Sequence, residues 1–128
     1  MPINSRNKGA AFERQIASII KDELGLEVKR NLDQYQSKGC YDLVGLHGYA
    51  LELKRYASIT DSMKRTFWKQ ALEQTGEYEE PILIYKADRQ ETRVVMLAND
   101  GLFDDEDYNG TIDVSLHYFL ALVRESMN

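Results

Sequence analysis

Apolar residues recur at helical spacing in three stretches of the chain and at alternate positions in several shorter ones. Phe12, Ile16, Ile19, Ile20 and Leu24 fall on one stripe and predict a helix over residues 8–24, with Gly25 placed to cap it in the left-handed conformation. Glu27 to Leu32 reads as a short strand. From residue 49 the period changes to two. Tyr49, Leu51 and Leu53 alternate with Ala50, Glu52 and Lys54, the mark of a strand with two unlike faces. Asp42 to Gly45 is its hairpin partner. Met63, Phe67 and Ala71, with Trp68 and Leu72 beside them, predict a second helix over 61–75 that Gly76 ends. Pro81 opens the strand run Ile82 to Tyr85, and Thr92 to Leu97 is another strand. Ile112, Leu116, Phe119, Leu120 and Val123 predict a last helix over 111–125 with that set facing inward. The resulting order, α-β-β-β-α-β-β-α, is an α/β fold with one central mixed sheet flanked by helices.

A length of 128 residues fits a single domain, 1–128, with one core. Hydrophobic residues make up 43% and charged residues 29%, which places the chain among folded globular proteins. One cysteine, Cys40, makes an internal disulfide impossible, and with only His47 and His117 as imidazoles a structural zinc site is not expected. The N-terminus lacks a signal-peptide pattern, and no apolar run is long enough to span a bilayer, so a cytoplasmic protein without a membrane partner is expected. Residues 98–110, acidic and bounded by glycine, lack the ligand spacing of a calcium loop and read as a solvated connector.

Charge changes this picture. Residues 1–70 carry 12 Lys and Arg against 8 Asp and Glu, a net +4, whereas 71–128 carry 4 against 13, a net −9, giving the chain its −5. A basic front half can turn one positive face toward phosphate, although surface scatter alone would produce such a division.

The chemistry concentrates on the alternating strand. Glu52 and Lys54 stand two apart and leave the same face. If Leu46-His47-Gly48 is a three-residue loop, Gly45 pairs with Tyr49 and Asp42 falls opposite Glu52; a two-residue loop would set Asp42 opposite Leu53, on the wrong face. A three-residue hairpin calls for glycine in its last, left-handed position, where Gly48 stands. Two adjacent carboxylates repel each other unless a cation neutralises them, and all-oxygen ligation favours Mg²⁺, with Mn²⁺ as substitute. Lys54 is suited to orient water or stabilise charge building on a phosphate, and Glu13, beside the core residue Phe12, can complete the anionic cluster. By itself Glu-x-Lys is a common surface ion pair; Asp42 at matching parity, the glycine turn and the helical Glu13 set this one apart.

Asp42, nine residues, then Glu52-Leu53-Lys54, with Glu13 on a leading helix, resembles the PD-(D/E)XK nuclease superfamily. The opening Arg6-Asn-Lys-Gly-Ala-Ala-Phe-Glu-Arg14 resembles more specifically the Holliday-junction resolvase branch, in its archaeal and phage forms. The resemblance spans about residues 6–86 and implies a restriction-endonuclease-like fold, Mg²⁺-dependent hydrolysis of DNA phosphodiesters and a homodimer. It assigns Asp42 as the metal-bridging Asp, Glu52 as the second ligand, Lys54 as the motif lysine, Glu13 as the helical glutamate of the metal cluster, and Leu53 as a ligand through its backbone carbonyl. Tyr41 replaces the motif proline, and Ser37-Lys38-Gly39 loosely matches a Gly-Ser segment, which makes Ser37 a candidate DNA contact. Gln70 resembles a helical Gln or Lys of some relatives and reads equally as an exposed helix position.

Arg6, Lys8, Arg14, Lys29, Arg30, Lys38 and Arg55 are the candidate phosphate contacts. Tyr35 and Tyr56 are aromatic residues able to stack on bases, with core or rim packing the favoured reading. The chain therefore reads as a structure-selective DNA endonuclease acting as a dimer on four-way junctions or other branched DNA. The alternatives are another repair, restriction or phage nuclease of the same chemistry, or a DNA-binding module that kept the fold without catalysis.

Overall fold

In the computed structural model, which describes residues 5–31, 42–98 and 108–127, helix α1 (Ser5–Leu24) is followed by β1 (Lys29–Arg30), β2 (Leu43–Val44) and β3 (Tyr49–Tyr56). Helix α2 (Asp61–Gln74) leads to β4 (Glu80–Ala87) and β5 (Arg93–Leu97). A 3-10 turn (Tyr108–Gly110), β6 (Thr111–Ser115) and α3 (Leu116–Ser126) complete the chain. The strands form one six-stranded sheet in sequence order, β1 to β6. Only β3 and β4 are parallel; every other neighbouring pair is antiparallel. A parallel pair cannot be joined by a tight turn, and α2 supplies the crossover.

The helices divide between the two sides of the sheet. Phe12, Ile16 and Ile20 of α1 and Leu116, Phe119, Leu120 and Val123 of α3 pack with Leu51, Leu53, Ile82, Ile84 and Val94. Phe67 and Trp68 of α2 pack with Leu83, Tyr85 and Val95 on the opposite face. This is the mixed α/β sheet covered by helices that the sequence predicts. Because both faces are covered, β4 is buried along most of its length and β3 through its centre, from Ala50 to Leu53.

Three local signals act as expected, and one does not. Gly25 (φ +73°) closes α1, its amide donating to the Lys21 carbonyl at 2.8 Å. Gly48 (φ +89°) ends the turn before β3. The register Leu43↔Leu51 sets Asp42 opposite Glu52, as the three-residue loop requires. The exception is the last helix, expected over 111–125. Thr111–Ser115 is a strand paired along its length with β5, and the helix begins only at Leu116. Thr111, Ile112 and Val114 are β-branched, and apolar Ile112 and Val114 alternate with polar Thr111, Asp113 and Ser115, a strand pattern that the four-residue step from Ile112 to Leu116 conceals. Ser115 fixes the boundary by accepting a hydrogen bond from the Tyr118 amide at 3.1 Å, an N-cap. Ile112, expected to face inward, is therefore an exposed residue of the edge strand. Helix α2 ends at Gln74 through an extended Thr75, one residue before Gly76. Only Ala98 and the turn at 108–110 of the acidic connector fall within the described residues.

Candidate active site

Among the described residues the buried charged side chains are Asp42 and Glu52, at 6% and 8% exposure. Charged groups are seldom buried unless paired or bound to a metal, so two carboxylates together mark this place in the sheet. The hairpin brings them together. Asp42 sits where β2 begins. Its amide donates to the Leu51 carbonyl at 3.0 Å, its carbonyl accepts from the Asn31 amide at 2.9 Å, and its side-chain Oδ2 accepts from the Leu53 amide at 2.6 Å. Backbone contacts to two strands thus fix the carboxylate beside β3. A residue's N–H and C=O leave a strand on the same side, so the Leu53 carbonyl is directed to the β2 side, beyond the Leu43↔Leu51 pair.

Glu52 and Lys54 emerge on the face covered by α2, because their partners in β4 are Leu83 and Tyr85. Lys54 Nζ stands 3.5 Å from Glu52 Oε1 and 5.2 Å from the centroid of the Phe67 ring. The ammonium is thus held between a carboxylate and an aromatic face, both of which attract it. Tyr56, next on the same side of β3, stacks on the other partner of this arrangement, Phe67, at 5.2 Å with the planes 16° apart.

Burial drives the electrostatics of the pair. It pushes Glu52 up to about 8, and the Asp42 charge adds to the shift while Lys54 opposes it. Burial also raises Asp42; the Leu53 amide opposes, and the Glu13 charge adds to the rise. Without a cation the pair favours keeping a proton, because burial and the neighbouring carboxylate both oppose a second negative charge.

Glu13 arrives from α1 and pairs through Oε2 with Arg30 Nε at 2.6 Å. It is near enough to act on Asp42, yet among the described residues no three Asp, Glu, His or Cys side chains converge to hold a cation unaided. A divalent ion would find two carboxylates and the Leu53 carbonyl here. That donor set suits Mg²⁺, which keeps several waters and takes one or two carboxylates. Its charge would replace the shared proton and remove the repulsion, so the residues fit the ion.

The candidate phosphate contacts divide. Arg14 and Lys29 are exposed, and Arg30 is held by Glu13. Lys8 Nζ and Arg55 NH1 both bind Asp88 Oδ1, at 3.0 and 2.7 Å, so α1 and the ends of β3 and β4 are clamped by the very residues read as DNA contacts. Gln70 is an exposed position of α2. Ser37, Lys38, Tyr35 and the side chain of Arg6 lie outside the described residues. Sequence reading passed over Phe67 as a partner for Lys54 and Asp88 as a partner for two cations. A second polar cluster also escaped it: the Tyr85 hydroxyl donates to Asp113 Oδ2, and Arg93 Nε donates to Asp113 Oδ1 at 2.9 Å, tying β4, β5 and β6.

A family model described as "Phage putative PDDEXK endonuclease" matches residues 4–125. No curated protein matches the chain.

Proposed function

Since the chain belongs to this family of phage PD-(D/E)XK endonucleases, we propose that it hydrolyses DNA phosphodiesters at Asp42, Glu52 and Lys54 with Mg²⁺ as cofactor. The observation that carries this reading is the buried Asp42–Glu52 pair with Lys54 at its side. Asp42, Glu52 and the Leu53 carbonyl would hold the cation, which would supply Lewis-acid polarisation of the phosphate and activation of water. The Leu53 amide keeps the Asp42 carboxylate in one orientation. Lys54, steadied by Glu52 and Phe67, presents its ammonium to the charge that builds on the phosphate. Glu13 acts through Arg30, holding the guanidinium beside the site for a neighbouring phosphate.

The substrate in this reading is branched DNA, with the Holliday junction the form to which the sequence resemblance points. Two copies would cut two strands symmetrically, and exposed Ile112, Tyr118 and Leu122 on the β6 edge and α3 offer apolar surface for pairing. No described helix is long and apolar enough to cross a membrane, and a DNA substrate in this reading calls for an enzyme at work in the cytoplasm of the host.

The test is cleavage of a panel of four-way junction, flap and linear duplex DNA in Mg²⁺ and in EDTA. The proposal requires cutting in Mg²⁺ alone and a preference for the branched forms. Binding without cutting in Mg²⁺ or Mn²⁺ would make the chain a DNA-binding module, and equal cutting of all forms would remove the junction preference.

A further inference from the structure

Tyr56 is the third member of the row Glu52, Lys54, Tyr56 on one face of β3, and it differs from the other two in being 40% exposed. Its ring lies nearly parallel to that of Phe67, which is itself 6% exposed and also carries the Lys54 ammonium. One buried aromatic ring therefore supports both a cation and a second, solvent-facing ring. Two residues along a strand span about 7 Å, so this outer ring stands close to the lysine.

The backbone beneath Tyr56 is pinned. Arg55 NH1 donates to the Tyr56 carbonyl at 2.9 Å and binds Asp88 Oδ1 at 2.7 Å, and the Asp88 amide donates to the Ala57 carbonyl at 3.1 Å. Lys8 of α1 closes the clamp on the same Asp88 oxygen. An exposed tyrosine that merely trimmed the rim of the core would not need such a fixed base. A rigid aromatic face with little left to order on binding is what stacking on a ligand ring requires.

We propose that Tyr56, backed by Phe67, is a stacking platform for a nucleobase that has left its duplex. This deepens the nuclease reading and rests on it for the identity of the ligand as DNA. Within a continuous duplex both faces of each base are covered by its neighbours, and a protein meets only edges, sugars and phosphates. A base face becomes available at a branch point, a flap, a bulge or an end. Stacking tolerates any base, so the platform selects disrupted stacking beside the scissile phosphate and not a sequence. Substrate choice then resides partly in a side chain that takes no part in hydrolysis.

The experiment is binding of the whole protein in EDTA, where no cleavage occurs, to two DNAs of one sequence: a perfect duplex, and a duplex with one unpaired 2-aminopurine. Tyr56→Leu is expected to weaken binding to the second DNA roughly tenfold while leaving the perfect duplex close to unchanged. Tyr56→Phe should behave as wild type, since the ring and not the hydroxyl stacks. Wild-type protein should quench the 2-aminopurine emission, a readout that needs no variant to fold. Equal weakening on both DNAs, no weakening on either, or no quenching by wild type would overturn the platform. None of these outcomes bears on the metal site, and loss of that site would leave the quenching in place.

Discussion

The Asp42 carboxylate accepts a hydrogen bond from the backbone amide of Leu53, its neighbour across the hairpin, at 2.6 Å. A strand amide is a rigid donor, and this one sits between Glu52 and Lys54 in the chain. The contact therefore locks the first carboxylate to the backbone segment that carries the other two groups. The site is held by the sheet itself and less by flexible side-chain pairs.

That placement costs stability when both carboxyls are charged. Glu52 has a folded value of about 8 against 4.5 ordinarily. Between those two values the folded chain holds a proton that the unfolded chain has lost, so stability falls as pH rises through this window, by up to ~1.4 kcal/mol per unit for one proton. Below the window both states are protonated and above it both are ionised, so the slope vanishes. Urea titrations in EDTA from pH 5 to 8 should show this decline, Glu52→Gln should flatten it, and Mg²⁺ should offset it at the upper end by binding the ionised pair. A slope that survives in Glu52→Gln would place its origin elsewhere.

The two hairpin glycines should respond differently to alanine. At Gly45 (φ +119°) a Cβ would run into the Glu27 carbonyl oxygen and lie 3.1 Å from Val28 Cα, both backbone atoms that cannot step aside. At Gly48 (φ +89°) nothing lies within 4 Å, and the substitution meets only the strain of a left-handed backbone. Gly48→Ala should cost about 1 kcal/mol, and Gly45→Ala about 3 kcal/mol or more, since strain and collision combine. Chemical denaturation of the two variants checks the order. A Gly45→Ala protein as stable as Gly48→Ala would mean that the approach of β2 to the segment before β1 is not fixed.

Among the basic residues, binding and structural roles should separate by salt. Each phosphate contact released shifts the logarithmic salt slope of DNA affinity by about one. Arg14→Ala and Lys29→Ala, at exposed positions, should lower that slope. Arg55→Ala should instead lower the melting temperature, because its guanidinium already binds Asp88 and two carbonyls. Affinity measured across a range of salt, with thermal melting in parallel, distinguishes the roles; a slope change in Arg55→Ala without loss of stability would contradict them.

The parts of this site that the sequence discloses are those set by local rules. Alternation from Tyr49 to Lys54 shows which side chains share a face, and a glycine at position 48 sets the hairpin register and so the partner of Glu52. What stayed hidden depends on elements that meet only in three dimensions. Phe67 reaches Lys54 because α2 crosses over the sheet between β3 and β4, and its helical spacing marks it as a core residue and nothing more. Arg55 finds Asp88 because the parallel register brings Tyr56 beside Ala87, a pairing between strands that no turn connects. The sixth strand is obscured because Ile112 fits the helical stripe of α3 as well as it fits a strand; the β-branched residues before Ser115 and the N-cap at Ser115 decide between them. Glu13 is legible as a helical acid near the core, but its pairing with Arg30 depends on how α1 meets β1 and has no signal in the sequence.

The measurement that bears most directly on the central claim is single-turnover cleavage of branched DNA by Asp42→Asn in Mg²⁺, with binding of the same DNA in EDTA as its companion. Asparagine keeps the shape of the side chain and can still accept from the Leu53 amide, but it lacks the charge that would hold the cation. Cleavage should fall by orders of magnitude, each ~1.4 kcal/mol of lost stabilisation being tenfold in rate, while binding holds or tightens because a negative charge facing phosphate is gone. Lys54→Ala should also lose cleavage but bind somewhat more weakly, having lost a positive charge. Asp42→Asn protein that cuts at the wild-type rate would contradict the assignment of Asp42, Glu52 and Lys54 as the active site.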